Sequence, residues 1–186
     1  MTEQGMLKSI GRIIEEMIPS VSAETLKEFK RDFQRFKFDS SAFTSMPKGN
    51  VIFQGDIIKD MPFTFYNKEG VQKNRNSCGM MLSHTCDMAN LKKNVIFAFC
   101  MPASHYKLSN FEDAKNQRIT NLMFLPTQPI LGDDLLVDFN LVTTYSSQFV
   151  NGIIKNNNHL ATLKDLGNFL FLMKLTIHFF RVEFPH

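Results

Sequence analysis

The sequence predicts an α+β protein, built as a small and mostly antiparallel β-barrel with helices at both ends. Three observations predict this class. Apolar residues recur at helical spacing before residue 40, short apolar runs separated by turn residues follow between residues 51 and 142, and a long apolar segment surrounds residue 170. Helices and strands that segregate along a chain are typical of α+β proteins. We therefore expect an N-terminal helical arm over residues 1–48 and a barrel domain with a C-terminal amphipathic helix over residues 49–186.

The N-terminal arm is predicted as two helices within residues 6–38. Pro19 ends the first helix, and Ser22 begins the second as its N-cap. The second helix carries an apolar stripe of leucine and phenylalanine opposite a basic face. That face is either a solvated helix surface or a surface that contacts phosphate or a partner. Residues 39–50, which contain serines, Pro47 and Gly49, are predicted as a linker.

The barrel strands are predicted from short apolar runs bounded by turn residues. Gly55 and Asp56 interrupt the first strand region, where a bulge stabilised by the Asp56 side chain is expected. Residues 67–77 are predicted as a polar, basic loop. The remaining strands are expected at residues 63–66, 79–88, 94–101, 121–125 and 135–142, with a short helix at 109–119. Residues 160–183 fit both a strand and a helix pattern, and their length favours a helix.

Composition and charge narrow the classes of function. The chain has 186 residues, of which 44% are apolar, so it can bury a sizeable core. Its net charge of +3 is too small to indicate nucleic acid by itself, but residues 68–93 alone carry five basic and two acidic side chains. The basic residues of that segment are the candidate nucleic-acid contacts: Lys68, Lys73, Arg75, Lys92 and Lys93.

The predicted compartment is the cytoplasm. Glu15 and Glu16 interrupt the apolar stretch that a signal peptide would need. The most apolar run, residues 169–180, is shorter than the roughly twenty residues of a bilayer span, so no membrane contact is expected. Three cysteines are an odd number, which argues against a disulfide framework.

One strand end carries polar side chains that strand periodicity does not explain. In a regular strand Ser83, Thr85 and Asp87 would share one face, and His84 and Cys86 would share the other with the core. A row of two hydroxyls and a carboxylate can orient a phosphate, a sugar or a base edge. It can equally cap the following turn through Asp87. Both interpretations remain open at this stage.

Two further chemistries are conceivable for the same cluster, a thiol nucleophile and a metal site. A thiol nucleophile at Cys86 needs a base, and His84 would lie about 7 Å away on the same strand face. A metal site would lack the usual spacing of cysteine and histidine ligands. We therefore predict neither a metal nor a cofactor.

Residues 51–90 resemble the start of PemK/MazF-type toxin barrels. The resemblance rests on Gly55-Asp56-Ile57-Ile58, the Pro62-Phe63 segment, the basic loop and the strand Gly79-Met80-Met81-Leu82-Ser83. Ser83-His84-Thr85-Cys86-Asp87 also resembles an S-x-T-C-D signature of bacterial proteins whose activity is not settled. The chain departs from the toxin pattern in three respects. It lacks the Arg-Pro pair before that strand, it has Lys68 to Asn74 in place of the Gly-Ser-Glu-Gln-like run of the loop, and it adds a helical arm.

The toxin resemblance implies an SH3-like barrel, often dimeric, with RNA lying over the basic loop. It also implies metal-independent RNA cleavage, in which the ribose 2′-hydroxyl attacks the adjacent phosphate. Arg75 would then be the cation on the phosphate, Ser83 or Thr85 a hydroxyl near the barrel mouth, and Asp87 a base.

The sequence therefore leaves three functional hypotheses. The first is a toxin-like module directed at RNA or DNA, with or without ribonuclease activity. The second is a non-catalytic protein-interaction subunit, or a homodimer, that works through its phenylalanine-rich helices. The third is an enzyme that uses the Cys86 thiol.

Overall fold

The computed structural model describes residues 43–47, 49, 51–106, 111–126, 131–154 and 158–179. The predicted helices within residues 6–38, and most of the predicted arm, lie outside the described residues. The boundary between the arm and the barrel domain therefore stays a prediction.

The described residues form seven strands and four α-helices. The strands are β1 (Thr44–Ser45), β2 (Ile57–Tyr66), β3 (Gln72–Met81), β4 (Asn94–Pro102), β5 (Leu122–Leu125), β6 (Leu135–Ser146) and β7 (His159–Leu163). The helices are α1 (Thr85–Ala89), α2 (Phe111–Lys115), α3 (Ser147–Ile154) and α4 (Asp165–Phe179), and a 3-10 turn covers Ala103–His105. The predicted α+β class is confirmed. No described helix has the length and apolarity needed to cross a bilayer.

The strands form one antiparallel sheet in the order β1-β7-β2-β3-β4-β6-β5. The predicted closed barrel is wrong for the described residues, because β1 and β5 are the two edges of an open sheet. Strand β6 does bend back toward β2, where the Tyr145 hydroxyl donates a hydrogen bond to the carbonyl of Pro62. Beyond that contact the two strands do not pair, so a groove remains between them.

The core lies inside the bend of the sheet. Apolar residues alternate along β2, and Phe63 packs edge-on against Phe99 with ring centroids 5.1 Å apart. Phe97 and Phe99 of the central strand β4 are at most 1% exposed. Helices α1 and α3 cover one end of this core with Met88, Val150 and Ile154. The continuously apolar run predicted at 94–101 is thus confirmed as a central strand.

Three predicted boundaries on the N-terminal side of the sheet are wrong. Residues 67–77 are not one loop, because the turn occupies only 67–71 and β3 begins at Gln72. Polar side chains at the start of β3 are tolerated because residues 72–76 are exposed, whichever face of the strand they lie on. The strand predicted at 79–88 ends at Met81, and a helix begins at Thr85. Residues 51–53 form no strand; a turn follows them and β2 begins at Ile57.

The helix predicted over residues 160–183 is confirmed for Asp165–Phe179, which form α4. It is wrong for residues 160–163, because His159–Leu163 form strand β7 beside β2. Helix α3, at Ser147–Ile154, was not predicted, although Phe149, Val150, Ile153 and Ile154 recur at helical spacing. The predicted strands at 121–125 and 135–142 are confirmed within a few residues, and β6 extends further, to Ser146.

Buried polar groups protect the short edge strand β5. The Gln117 side-chain amide donates to the carbonyl of Phe124 and accepts from its N–H, so it takes the place of a further strand. Lys174 of α4 donates to the carbonyls of Gln117 and Ile119, and it is only 5% exposed. Burial lowers the pKa of Lys174 to about 8.

Candidate nucleic-acid interface

The hairpin of β2 and β3 places two cations beside two aromatic rings. Arg75 lies directly opposite Phe63, and Lys73 directly opposite Phe65. Because cross-strand partners share a face, these four side chains lie on the inner face of the hairpin. The first residues of β3 are exposed, so the charged ends reach solvent while Phe63 is buried and Phe65 is half-buried.

Arg75 is held in a defined position without an acidic partner. Its guanidinium carbon lies 6.0 Å from the centroid of the Phe99 ring, within the range of a cation–π contact. Its Nη2 lies 3.5 Å from Nδ1 of His105. In the described part of the chain no carboxylate forms an ion pair with Arg75. The guanidinium is therefore available to an anion from solution.

A groove of about 190 Å³ runs beside this cation, between β2 and β6. Residues 63–65 form one wall, residues 140–143 form the other, and Phe99 lies at the base. The groove exists because β6 shifts register against β4, leaving residues 139–141 without partners on β4. Asp138 stabilises this bulge by accepting the N–H of Asn140, the Tyr106 hydroxyl and the Asn121 amide.

The cluster from Ser83 to Asp87 is a helix start rather than a strand face. Ser83 Oγ accepts the N–H of Ile96, and Thr85 Oγ1 accepts the N–H of Gln54. His84 is the N-cap of α1, and its Nδ1 accepts the N–H of Cys86 at 3.2 Å. Side chains that bond backbone N–H groups in this way compete with a strand ladder, which is why β3 ends before them. The cluster is therefore not a polar strand row, and the cap is His84, whereas the capping predicted through Asp87 is not observed.

Asp87 does not face Arg75. Its carboxylate pairs with Lys93 at 2.6 Å, and this hydrogen bond and charge raise the pKa of Lys93. The strand from Arg75 to Met81 alone spans about 20 Å at ~3.3 Å per residue, and α1 lies beyond its end. The structure thus does not bring Arg75 together with Ser83, Thr85 and Asp87.

The basic residues of segment 68–93 also fall into two groups that lie apart. Lys68, in the turn of the hairpin, Lys73 and Arg75 belong to the β2–β3 hairpin. Lys92 and Lys93 lie between α1 and β4, at the opposite end of β4 from His105. The local charge is therefore two separate patches, and only the hairpin patch borders the groove.

Gly55 and Asp56 form a turn that fixes the start of β2. Gly55 has φ +88°, a conformation that glycine adopts without strain. The buried Asp56 carboxylate accepts the N–H of Phe53 at 2.8 Å and lies 2.8 Å from Nε2 of His159. Asp56 thus has the structural role that its position suggests, although it stabilises a turn and β7 instead of a bulge.

The cysteines differ in exposure. All three are free, with Cys86 exposed and Cys100 buried. Burial, followed by the charge of Asp60, raises the pKa of Cys78 to about 11, and burial also raises that of Cys100. His84 uses Nδ1 to cap α1, so it does not activate the exposed Cys86 thiol through that atom. Among the described residues no three His, Cys, Asp or Glu side chains are grouped as metal ligands.

His105 is the site residue that the sequence did not single out. Thirty positions separate it from Arg75, and no spacing rule connects them. Sheet pairing is the signal that would have found it. Because Cys78 lies opposite Cys100, residues that follow β4 must lie beside the start of β3.

The partner-binding hypothesis concerns other surfaces. Helix α4 buries Leu170, Phe171 and Lys174, whereas Ile177 and Phe179 near its end are 46% and 56% exposed. Phe149 of α3 is also exposed and stacks on Tyr145. Exposed apolar side chains are common on protein surfaces, and they do not by themselves indicate a partner.

Comparison with protein-family models, curated proteins and solved structures finds no match to this chain. The resemblance to PemK/MazF-type toxins therefore stays a prediction, and the site is interpreted from its own geometry.

Proposed function

We propose that this chain is a nucleic-acid-binding module that holds single-stranded RNA or DNA against the β2–β3 hairpin and the groove beside it. The observation that carries the proposal is Arg75, an exposed guanidinium without an acidic partner in the described residues, positioned over Phe99 at the edge of the groove. Arg75 and Lys73 would contact phosphates, and the half-buried Phe65 offers a ring edge or face to a base. Lys68 extends the same positive surface.

A single strand fits this surface better than a duplex. The hairpin offers aromatic and backbone groups beside its charges, and these can be used only by bases that are not paired. A second, more open depression, lined by Ser104, Tyr106 and Asp133, is acidic at its rim and is a poorer site for phosphate. Lys92 and Lys93 would be reached only by a longer strand that continues over β4.

Ribonuclease activity is a second proposal at the same place, favoured by the contact between Arg75 and His105. Cleavage by the 2′-hydroxyl needs a cation on the phosphate and a group that transfers a proton. In the observed contact Nδ1 of His105 faces the guanidinium, which leaves Nε2 directed elsewhere and free to exchange a proton with a bound sugar or leaving oxygen. The toxin resemblance supports RNA over DNA as the target, and Asp87 is too distant to act with Arg75.

Binding is tested with a fluorescent single-stranded RNA at several salt concentrations. Arg75→Ala is expected to weaken binding about tenfold or more and to reduce the salt slope by about one, because one phosphate contact is lost. Arg118→Ala is the matched control, since Arg118 is exposed but pairs with Asp113 away from the groove. The same samples, analysed for cleaved RNA, test the second proposal: cutting of RNA but not DNA that is lost in Arg75→Ala and in His105→Gln would support it.

Light scattering and RNA binding, measured on the same purified protein, distinguish the protein-interaction hypothesis from nucleic-acid binding. If the protein self-associates in light scattering and fails to bind RNA at about 50 mM salt, the exposed side chains of α3 and α4 become the better candidate surface.

A further inference from the structure

Strand β2 has an unpaired edge along the groove. The N–H of Asn67 donates to the carbonyl of Val71, so alternate residues of β2, namely Phe63 and Phe65, direct their backbone groups to β3. Pro62, Thr64 and Tyr66 must then direct theirs away from β3. The Tyr145 hydroxyl confirms this geometry at Pro62, whose carbonyl accepts its hydrogen bond. Beyond Ile58 no described strand pairs with this edge of β2.

Thr64 offers the groove its backbone and not its side chain. Its hydroxyl donates to the Asn74 amide oxygen at 2.9 Å on the outer face of the hairpin. Its N–H and carbonyl lie next to each other on the open edge, and residues 63–65 line the groove. An adjacent donor and acceptor is the pattern that the Watson–Crick edge of an unpaired base complements with an adjacent acceptor and donor.

The dimensions and charges of the groove limit what can enter it. Its volume of about 190 Å³ is below the usual range for pockets that take whole cofactors or drug-sized ligands. The walls are a strand edge and the β6 bulge, and the Arg75 guanidinium lies 6.0 Å from the ring of Phe99, which also lines the groove. A small planar group with a phosphate attached to it suits this combination of a small volume, backbone hydrogen-bonding groups and one guanidinium beside a lining ring.

We infer that the groove is a nucleobase site, in which one unstacked base of a single strand enters between β2 and β6, bonds the Thr64 backbone and leaves its phosphate on Arg75. This inference rests on the proposed function and specifies how the strand is held. It makes the bases, and not only the phosphates, necessary for tight binding.

The first test uses the unaltered protein and two oligonucleotides of equal length and charge. One is a labelled single strand with all its bases, and the other has the same backbone with abasic positions throughout. We expect the abasic strand to bind at least tenfold more weakly at the same salt concentration. Equal affinity for the two strands would overturn the nucleobase site and leave the proposed function intact. Absence of binding to both would instead refute the proposed function.

The second test fills the groove. Thr143 lies on the inner face of β6 and lines the groove, whereas its neighbour Thr144 is exposed on the outer face. Thr143→Trp is expected to weaken binding of the base-containing strand at least tenfold and to leave binding of the abasic strand within twofold. Thr144→Trp controls for the added indole and should bind both strands like the unaltered protein.

The third test removes one hydrogen-bond donor. Thr64→Pro deletes the edge N–H, which Pro62 already lacks two positions earlier, whereas Thr64→Ala keeps the N–H and deletes only the bond to Asn74. We expect the proline variant to lose several-fold more affinity for the base-containing strand than the alanine variant. If Thr143→Trp, Thr144→Trp, Thr64→Pro and Thr64→Ala all fold and bind the base-containing strand with equal affinity, the nucleobase site is contradicted.

Discussion

At the scale of single residues, the turn before β2 depends on one buried carboxylate. Asp56 is fully buried, accepts the N–H of Phe53 and lies 2.8 Å from Nε2 of His159. Asp56 therefore joins the start of β2 to β7, which is distant in sequence. Asp56 Oδ1 and both ring nitrogens of His159 are buried and make no hydrogen bond in the described residues, so the approach of Nε2 to the carboxylate is a close charge contact and little else compensates for a change here.

Asp56→Ala is expected to lower the free energy of unfolding by about 3–5 kcal/mol, because it removes the carboxylate beside the buried His159 ring and leaves the Phe53 N–H without its acceptor. Asp56→Asn should cost less, since its amide oxygen can still accept the Phe53 N–H. Urea unfolding of the three proteins measures both effects. A loss below about 1 kcal/mol for Asp56→Ala would show that the turn does not depend on this carboxylate.

A second buried charge makes stability depend on pH. Burial lowers the pKa of Lys174 to about 8 in the folded protein, whereas the unfolded value is about 10.5. Between these values the unfolded state binds more protons, so the contribution of Lys174 to stability rises as pH rises from about 8 to 10.5. Below pH 8 both states are protonated and the cost of burying the charge is fully present.

Lys174→Met removes this dependence. We expect the unfolding free energy of the unaltered protein, relative to that of the variant, to increase between pH 8 and pH 10. Burial raises the pKa of Tyr145 and of Cys78, so these two groups make stability fall as pH rises. The unaltered protein and Lys174→Met both contain them, so their contribution cancels in the difference. A difference that stays constant with pH would mean that Lys174 is not desolvated in solution.

At the scale of elements, the start of α4 lies against the segment that leads into β1. Gly167 is buried, and a Cβ atom at this position would lie 2.2 Å from the carbonyl oxygen of Phe43. The same oxygen accepts the N–H of Lys164, just before the helix. Gly167 thus allows a close approach of backbone to backbone that any larger residue would prevent.

Gly167→Ala is expected to destabilise the fold by about 1–3 kcal/mol, despite the usual preference of helices for alanine. Gly152→Ala in α3 is the matched control, because a Cβ there meets nothing within 4 Å. The control should gain up to about 1 kcal/mol. Thermal unfolding of both variants checks the pair, and a stabilised Gly167→Ala protein would contradict the close contact with Phe43.

Among the strands, the sequence predicts correctly those whose apolar pattern is strong. The apolar run at 94–101 and the runs at 121–125 and 135–142 are strands because their side chains are buried on both faces or alternate clearly. The prediction from sequence fails where local hydrogen bonds decide the structure. Ser83 and His84 end β3 by accepting backbone N–H groups, and no apolar pattern reports such bonds.

The candidate site was predicted only in part for a related reason. Arg75 and Lys73 were found from their charge, which local sequence displays directly. Their neighbours were not, because Phe99 and His105 meet Arg75 only through the pairing of β3 with β4. The groove itself depends on the β6 bulge at residues 139–141, whose register shift no single-sequence pattern indicates.

At the scale of the whole molecule, the described strands form an open sheet, and this opening leaves room for the strand that we propose. A closed barrel would pair β2 with β6 and leave no edge exposed. Here the Tyr145 hydroxyl connects the two strands at Pro62, and burial raises its pKa to about 12, so it remains a donor through the physiological pH range. The strands separate beyond that contact and leave the groove beside the basic hairpin.

The central claim is that Arg75 and the groove beside it hold a single nucleic-acid strand. The most direct measurement is the affinity of the unaltered protein, Arg75→Ala and Arg118→Ala for one labelled single-stranded RNA across a range of salt concentrations. We predict salt-dependent binding that Arg75→Ala weakens about tenfold or more, with a salt slope lower by about one, and that Arg118→Ala leaves within twofold. Equal affinities for the three proteins, or no binding by the unaltered protein at about 50 mM salt, would contradict the claim.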